Sequence, residues 1–144
     1  MPLKRREKRR VKVVIDTNVF ISSFFGGNPR KIISYWEKGE IIWCVSKPII
    51  DEYIEILKRL GLKNEKELDD LLNLFAKGFN LIYSANTPHL QIVDDDPDDN
   101  KFIECAVALK SNYVISGDKH LTSLKEYMGI KIITPLEFIE YMAY

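Results

Sequence analysis

The chain has 144 residues, 46% hydrophobic and 29% charged, which is typical of one globular domain with a sizeable core. No apolar run approaches the roughly 18 residues that a membrane-spanning helix needs, and the N-terminus lacks the apolar stretch of a secretory signal. These features exclude a membrane protein, a disordered tail and a disulfide scaffold, and we expect a cytoplasmic protein. Cys44 and Cys105 lie in separate apolar segments and predict two buried free thiols.

The formal net charge of zero conceals an uneven distribution of charge along the chain. Residues 1–12 carry seven basic side chains and one acidic side chain, so their net charge is +6 and that of the remainder is −6. Such a basic segment can bind a phosphate backbone by releasing counterions, but it is equally typical of a solubilising tail. We expect residues 1–10 to form a flexible basic arm and residues 11–144 to form a single domain.

Strand and helix patterns alternate along the rest of the chain. The predicted elements are, in order, strand 11–15, helix 30–38, strand 41–45, helix 46–61, helix 64–77, strand 81–83, helix 101–110, strand 113–116, helix 121–127, strand 130–133 and helix 135–141. The apolar segment 18–25 lies between the first two and ends at a Gly-Gly-Asn-Pro break. This alternation predicts an α/β fold, a three-layer α/β/α sandwich with a mainly parallel central sheet.

Two acidic residues follow predicted strands directly. Ligands bind beyond the carboxyl ends of the strands in sheets of this kind, and Asp16 and Asp118 lie at such ends. A carboxylate at the end of a buried strand is costly unless it is paired or binds a metal. Each residue also has an ordinary structural interpretation, Asp16 as a helix N-cap and Asp118 as a turn residue.

Further carboxylates come from the helical segments beside those strands. Glu52 lies among apolar neighbours on the helix after the second strand, and five of the six residues 94–99 are aspartate. Each could simply be a solvated surface group. If they converge with Asp16 and Asp118, however, their oxygens suit Mg²⁺ or Mn²⁺. Two such ions can clamp a phosphodiester.

The order of these motifs resembles that of a PIN domain, the metal-dependent ribonuclease fold of many VapC-like toxins in type II toxin–antitoxin systems. The resemblance runs from residue 11 to residue 144. Residues 13–19, with the sequence Val-Val-Ile-Asp-Thr-Asn-Val, are similar to the first signature of the family. Glu52 fits the second acid, residues 99–106 fit the third region and residues 115–119 fit the fourth.

The third acid is the point at which the chain departs from the family pattern. The spacing found in many toxins, counted back from Asp118, leads to Asn100 instead of a carboxylate. Asp99 is the nearest acid and our first choice, and Asp96 is the second. Asn100 can still bind a metal, a water or a phosphate through its amide. The substitution would weaken metal binding and activity.

The resemblance implies a metal-dependent endoribonuclease in which a metal-activated water cleaves RNA, leaving a 5′-phosphate and a 3′-hydroxyl. Asp16, Glu52, Asp99 and Asp118 would hold one or two Mg²⁺ or Mn²⁺ ions. Asn18 and Ser116 would orient ligands or a water.

The resemblance also implies partners. They are RNA, a second copy of the chain in a homodimer or higher homo-oligomer, and an antitoxin that blocks the acidic site. Arg30, Lys31, Lys119 and the basic arm could hold the RNA backbone.

Three other interpretations compete with a ribonuclease. A haloacid dehalogenase-type phosphatase needs a second aspartate two residues after the first, where this chain has Asn18. A receiver domain needs a lysine at the end of a later strand, and no good match is present. A PIN-like RNA-binding or regulatory module with a weakened site is the main alternative, because Asn100 stands at the third acid position.

Overall fold

The computed structural model describes residues 10–61, 66–93 and 97–143. Residues 1–9 of the basic arm and Asp96 therefore lie outside the described residues, and Arg10 is the part of the arm that is described. The elements are β1 (Val11–Ile15), α1 (Thr17–Ser22), α2 (Gly27–Glu37), β2 (Ile41–Ser46), α3 (Lys47–Leu60), α4 (Lys66–Ala76), β3 (Leu81–Ser84), α5 (Asn100–Leu109), β4 (Tyr113–Ile115), α6 (Lys119–Thr122), β5 (Glu126–Tyr127), β6 (Ile130–Ile133) and α7 (Pro135–Met142). Short 3-10 helices cover Ser23–Phe25 and Pro97–Asp99.

The six strands form one sheet in the order β3-β2-β1-β4-β6-β5. Every neighbouring pair is parallel except β5 and β6, which form an antiparallel hairpin. The chain builds outward from β1 to β2 and β3, and then returns to place β4 on the other side of β1. The direction of strand order therefore reverses between β1 and β4, which is the position where open α/β sheets bind ligands.

Helices cover both faces of the sheet. Val13, Val14 and Ile15 follow one another in β1 and all have 0% exposure, although successive side chains of a strand point to opposite faces. Helix α5 packs across β1 to β4, and α2 packs against α7. The predicted α/β sandwich with a mainly parallel sheet is confirmed.

An aromatic cluster fixes the helices near the carboxyl end of β1. Phe20 of α1 stacks on Tyr53 of α3 at 4.2 Å between ring centroids. Trp43 of β2 lies edge-on to Trp36 at 5.0 Å and to Phe75 at 4.8 Å. The Tyr53 hydroxyl also donates a hydrogen bond to the Ile15 carbonyl oxygen. These contacts tie α3, which carries Glu52, to the end of β1.

One helix begins earlier than predicted, and one predicted helix was wrong in part. Helix α2 begins at Gly27 instead of residue 30, because Pro29 falls in the first turn, where a missing N–H is tolerated. The segment predicted as helix 121–127 contains the short helix α6 followed by strand β5. Met128 and Gly129 both have positive φ, 50° and 83°, as a tight hairpin turn between β5 and β6 requires.

The other predicted strands and helices are present to within a few residues at their ends. Cys44 and Cys105 are buried and unpaired as disulfides, as expected. Within the described ranges, none of the helices combines the length and the apolar character that crossing a bilayer requires.

Candidate acidic site at the carboxyl ends of β1 and β4

A cleft of about 230 Å³ lies where β1 and β4 end. Four described segments of the chain supply its walls, namely the end of β1 with the start of α1, helix α3, the turn before α5 with the first turn of α5, and the loop after β4. Among the described residues, its lining consists of Asp16, Thr17, Asn18, Glu52, Ile56, Asp98, Asp99, Phe102 and Asp118. The four predicted acids Asp16, Glu52, Asp99 and Asp118 are therefore brought to one cleft, together with Asn18.

Asp16 is the most buried acid of the cleft, with 3% exposure. It caps helix α1, and its Oδ1 accepts a hydrogen bond from the Val19 N–H at 2.8 Å. Its Oδ2 accepts a hydrogen bond from the Ser116 hydroxyl. The N-cap interpretation of Asp16 is thus correct, and it is compatible with a place in the cleft because the same carboxylate lines the cavity.

Burial raises the pKa of Asp16 from its ordinary value of 3.8 to about 6. The hydrogen bonds from Ser116 and Val19 lower this pKa, but they do not offset the loss of water. The negative charges of Asp118 and Glu52 raise it further, because like charges disfavour ionisation of a nearby carboxyl group. The charged form of Asp16 is therefore disfavoured in the folded protein, and a cation beside it would stabilise that form.

Ser116 connects the two strand ends. Its side chain is fully buried, donates to Asp16 and accepts the Asp118 backbone N–H at 2.9 Å. Asp118 in turn caps α6 by accepting the His120 N–H at 2.8 Å through Oδ1. Ser116 therefore sets the position of Asp118 relative to Asp16.

Glu52 is held by two contacts that the sequence did not reveal. Its Oε2 accepts a hydrogen bond from the Thr17 hydroxyl, and its Oε1 lies 2.9 Å from the Lys101 ammonium. Thr17 is adjacent to Asp16 in the chain, so this bond ties the second acid to the first. No spacing in the sequence marks Lys101 as a partner of Glu52, because the two residues meet only through the packing of α3 against α5.

In the third acidic region, Asp98 and Asp99 line the cleft, whereas Asn100 does not. The Asn100 side chain is 8% exposed, and its Oδ1 accepts the N–H groups of Ile92 at 3.1 Å and Val93 at 2.8 Å. Asn100 thereby fastens the segment before the acidic stretch to the start of α5. The sequence did not single out Asp98 as a lining residue.

The predicted RNA-binding residues are not part of the cleft wall. Arg30 lies on α2, and its guanidinium donates to the Ser23 carbonyl oxygen at 3.1 Å. Lys31 is exposed on the same helix, and Lys119 is exposed directly after Asp118. Of the three, Lys119 is the one that its place in the chain sets beside the cleft.

The donor set of the cleft suits a hard divalent cation, because its acids offer carboxylate oxygens. Among the described residues, no three acidic, histidine or cysteine side chains already converge closely enough to hold an ion. Asp16, Glu52, Asp99 and Asp118 nevertheless line one cleft, so their carboxylates face the same space. The residues fit a divalent ion in chemistry and charge, and binding would draw the carboxylates together.

The fold and the cleft define an α/β protein with an acidic site at the switch point of a mainly parallel sheet. The chain belongs to the PIN domain family, since a family model with the description "PIN domain" matches residues 12–120. It is also similar to an uncharacterized protein of Methanocaldococcus jannaschii, with 36% identity over 152 aligned positions that cover 96% of each chain. The matched range contains Asp16, Glu52, Asp99 and Asp118.

Membership of this family indicates the kind of activity. PIN domains are generally nucleases, which are hydrolases of phosphodiester bonds, and they typically use divalent metal ions.

Proposed function

We propose that the protein is a divalent-metal-dependent endoribonuclease. The observation that carries this proposal is the convergence of four acid-bearing segments on one cleft at the sheet switch point, in a chain of the PIN domain family. Nucleases of this type hydrolyse the phosphodiester with water and leave a 5′-phosphate and a 3′-hydroxyl.

The residues of the cleft would have different roles in this reaction. Asp16, Glu52, Asp99 and Asp118 would hold one or two Mg²⁺ or Mn²⁺ ions. Such ions lower the pKa of water and neutralise charge on a phosphodiester. Ser116 keeps Asp16 in place through its hydrogen bond, and Asn18, which lines the cleft, orients a water or a phosphate oxygen. Asp98 stands beside Asp99 and is a further candidate ligand.

The charge distribution supports RNA as a partner. RNA would be held by the basic arm and by Lys119 beside the cleft, with Arg30 and Lys31 on α2 as further contacts. As a VapC-like toxin, the protein would act as a homodimer or higher homo-oligomer and be inhibited by an antitoxin that blocks the acidic cleft.

A second function is supported by the state of Glu52. Both of its carboxylate oxygens are engaged, one by Thr17 and one by Lys101. If an ion cannot displace these contacts, the cleft would not assemble a metal centre, and the protein would bind RNA without cleaving it. This alternative is a PIN-like RNA-binding or regulatory module.

The test is incubation of the purified protein with a mixed set of labelled RNAs in Mg²⁺, in Mn²⁺ and in a chelator. The wild type is compared with Asp16→Asn and with Asp51→Asn, an exposed acid on α3 that serves as a charge-matched control. We expect cleavage that needs the metal, is lost in Asp16→Asn and is kept in Asp51→Asn. RNA binding without cleavage in any metal would favour the RNA-binding module.

The toxin role has its own test, which is expression of the wild type and of Asp16→Asn in a bacterial host. Growth arrest by the wild type alone supports a toxin. Unimpaired growth of both strains, with active ribonuclease recovered from the cells, would remove the toxin role and leave the nuclease.

A further inference from the structure

Among the described residues, Lys101 is a basic side chain that contacts an acid of the cleft. The Lys101 ammonium lies 2.9 Å from Glu52 Oε1 and donates a hydrogen bond to the Asp98 carbonyl oxygen at 2.7 Å. The Lys101 side chain is 14% exposed, and that of Glu52 is 31% exposed. Lys101 therefore joins α3 to the turn that carries Asp98 and Asp99.

This ion pair differs in kind from the ion pairs on the surface of α3. The Lys47–Asp51 pair has a similar distance of 2.8 Å, but its side chains are 67% and 60% exposed. Exposed pairs of this type interact weakly because water screens them. Water screens a partly buried pair less, and removing one partner leaves the charge of the other uncompensated.

A second carboxylate, that of Glu104, lines the same hollow as Lys101. A hollow of about 340 Å³ adjoins the cleft through Asp98, and both Lys101 and Glu104 line it. Glu104 lies one turn further along α5, at the i+3 spacing that lets helical side chains meet. Its Oε2 accepts the Leu90 N–H at 2.8 Å, which fixes the carboxylate inside the hollow.

We propose that Lys101 is the internal counter-ion of the acidic cleft and that a divalent cation binds Glu52 only after displacing the Lys101 ammonium towards Glu104. In the ion-free protein, Lys101 neutralises Glu52 and limits repulsion among the acids. When the ion binds, the ammonium leaves Glu52 and moves into the hollow. The inference rests on the proposed function, since it assigns a role to Lys101 in the loading of that same site.

The first test is Mn²⁺ binding to the full chain by isothermal titration calorimetry. Lys101→Met removes the competing charge, so we expect Mn²⁺ to bind roughly tenfold more tightly than to the wild type. Lys101→Arg keeps the charge and should not bind Mn²⁺ more tightly than the wild type. Lys47→Met removes a charge from an exposed pair and should change the dissociation constant by less than about twofold. Unchanged or weaker Mn²⁺ binding by Lys101→Met would overturn the inference.

The second test is thermal unfolding in chelator and in Mn²⁺. Lys101→Met should unfold at a lower temperature than Lys47→Met in chelator, and Mn²⁺ should raise its midpoint by more than it raises that of the wild type. Glu104→Gln, which retains the acceptor for Leu90, should weaken Mn²⁺ binding because the displaced ammonium loses its second carboxylate. Unaltered Mn²⁺ binding by Glu104→Gln would remove the hollow as the destination.

The outcomes separate this inference from the proposed function. If neither the wild type nor Lys101→Met binds Mn²⁺, both the metal-dependent nuclease and the displacement are wrong. If the wild type binds Mn²⁺ and cleaves RNA while Lys101→Met binds Mn²⁺ with the same affinity as the wild type, the nuclease function is supported and the counter-ion role of Lys101 is wrong.

Discussion

The acids of the cleft form two groups that the fold holds in different ways. Asp16 and Asp118, the strand acids, follow β1 and β4, two neighbouring strands of the sheet, and Ser116 links them by hydrogen bonds. Glu52 and Asp99, the helix acids, come from α3 and from the turn before α5. The sheet backbone fixes the strand acids, whereas the packing of helices positions the helix acids.

The strand acids and the helix acids therefore differ in how freely their side chains can move. Asp16 is almost fully buried, and its hydrogen bonds come from groups close to the strand ends. Glu52 is partly exposed and is held by two side chains, Thr17 and Lys101, that can rotate away. The strand acids therefore provide a fixed half of the cleft, and the helix acids provide a half that can close on an ion.

The largest expected effect is on catalysis. Asp16→Asn should lower single-turnover RNA cleavage by about a thousandfold, because it removes an ion-holding charge from the fixed half. Asp99→Asn should lower cleavage by only about ten- to a hundredfold, since Asp98 lies beside it and can take its place. Equal losses in the two variants would show that the two halves of the cleft do not differ in this way.

The next effect is on stability as a function of pH. The folded pKa of Asp16, about 6, lies above its ordinary value of 3.8, so the folded state binds the proton more tightly. The resulting stabilisation is fully present below the lower value and is lost as pH rises through the higher one. In chelator, the unfolding free energy of the wild type should fall by about 2 kcal/mol relative to that of Asp16→Asn between pH 4 and pH 7.

Urea unfolding at a series of pH values measures this difference. Asp118→Asn is the matched variant, because it removes a neighbouring charge that raises the pKa of Asp16. Its fall in stability should be centred at a lower pH than that of the wild type. If the unfolding free energies of the wild type and of Asp16→Asn change with pH in the same way across this range, the buried position of the carboxyl group is contradicted.

A smaller effect compares the two hydroxyl groups that hold the acids. Ser116→Ala removes a buried donor to Asp16 and an acceptor for the Asp118 N–H, so we expect a loss of about 2 kcal/mol in unfolding free energy. Thr17→Val removes the single bond to the partly exposed Glu52 and should cost about 1 kcal/mol or less. Chemical denaturation at neutral pH in chelator measures both. If Thr17→Val loses more unfolding free energy than Ser116→Ala, the helix acids and not the strand acids are the more firmly held.

The strand acids were predictable from sequence because their signal is local. A β-branched run that ends in Asp16 predicts both the strand and the residue that follows it, and the alternation of strands and helices predicts a parallel sheet. Asp118 follows β4 in the same way. Since parallel strands end at one edge of the sheet, two local patterns were enough to bring these acids together.

The remaining features depend on contacts that no local pattern records. Lys101 meets Glu52 only because α5 packs beside α3, and either residue alone resembles a solvated helix residue. Strand β5 was read as helix because its two residues are too few to show alternation. Asn100 was linked to the site by spacing alone, and spacing does not show which way a side chain points.

The smallest expected effect concerns that asparagine. Asn100→Asp would restore the acid at the spacing found in many related toxins, yet Asn100 Oδ1 is engaged with the N–H groups of Ile92 and Val93 and does not line the cleft. An aspartate can accept the same two hydrogen bonds, so we expect the variant to fold and to change the single-turnover cleavage rate by less than about twofold. The test measures the Mn²⁺ affinity and the cleavage rate of Asn100→Asp and of Asp99→Asn under the same conditions. A gain of tenfold or more in Asn100→Asp would mean that residue 100 turns into the cleft when the ion is bound, and the third acid position would then belong to it instead of to Asp99.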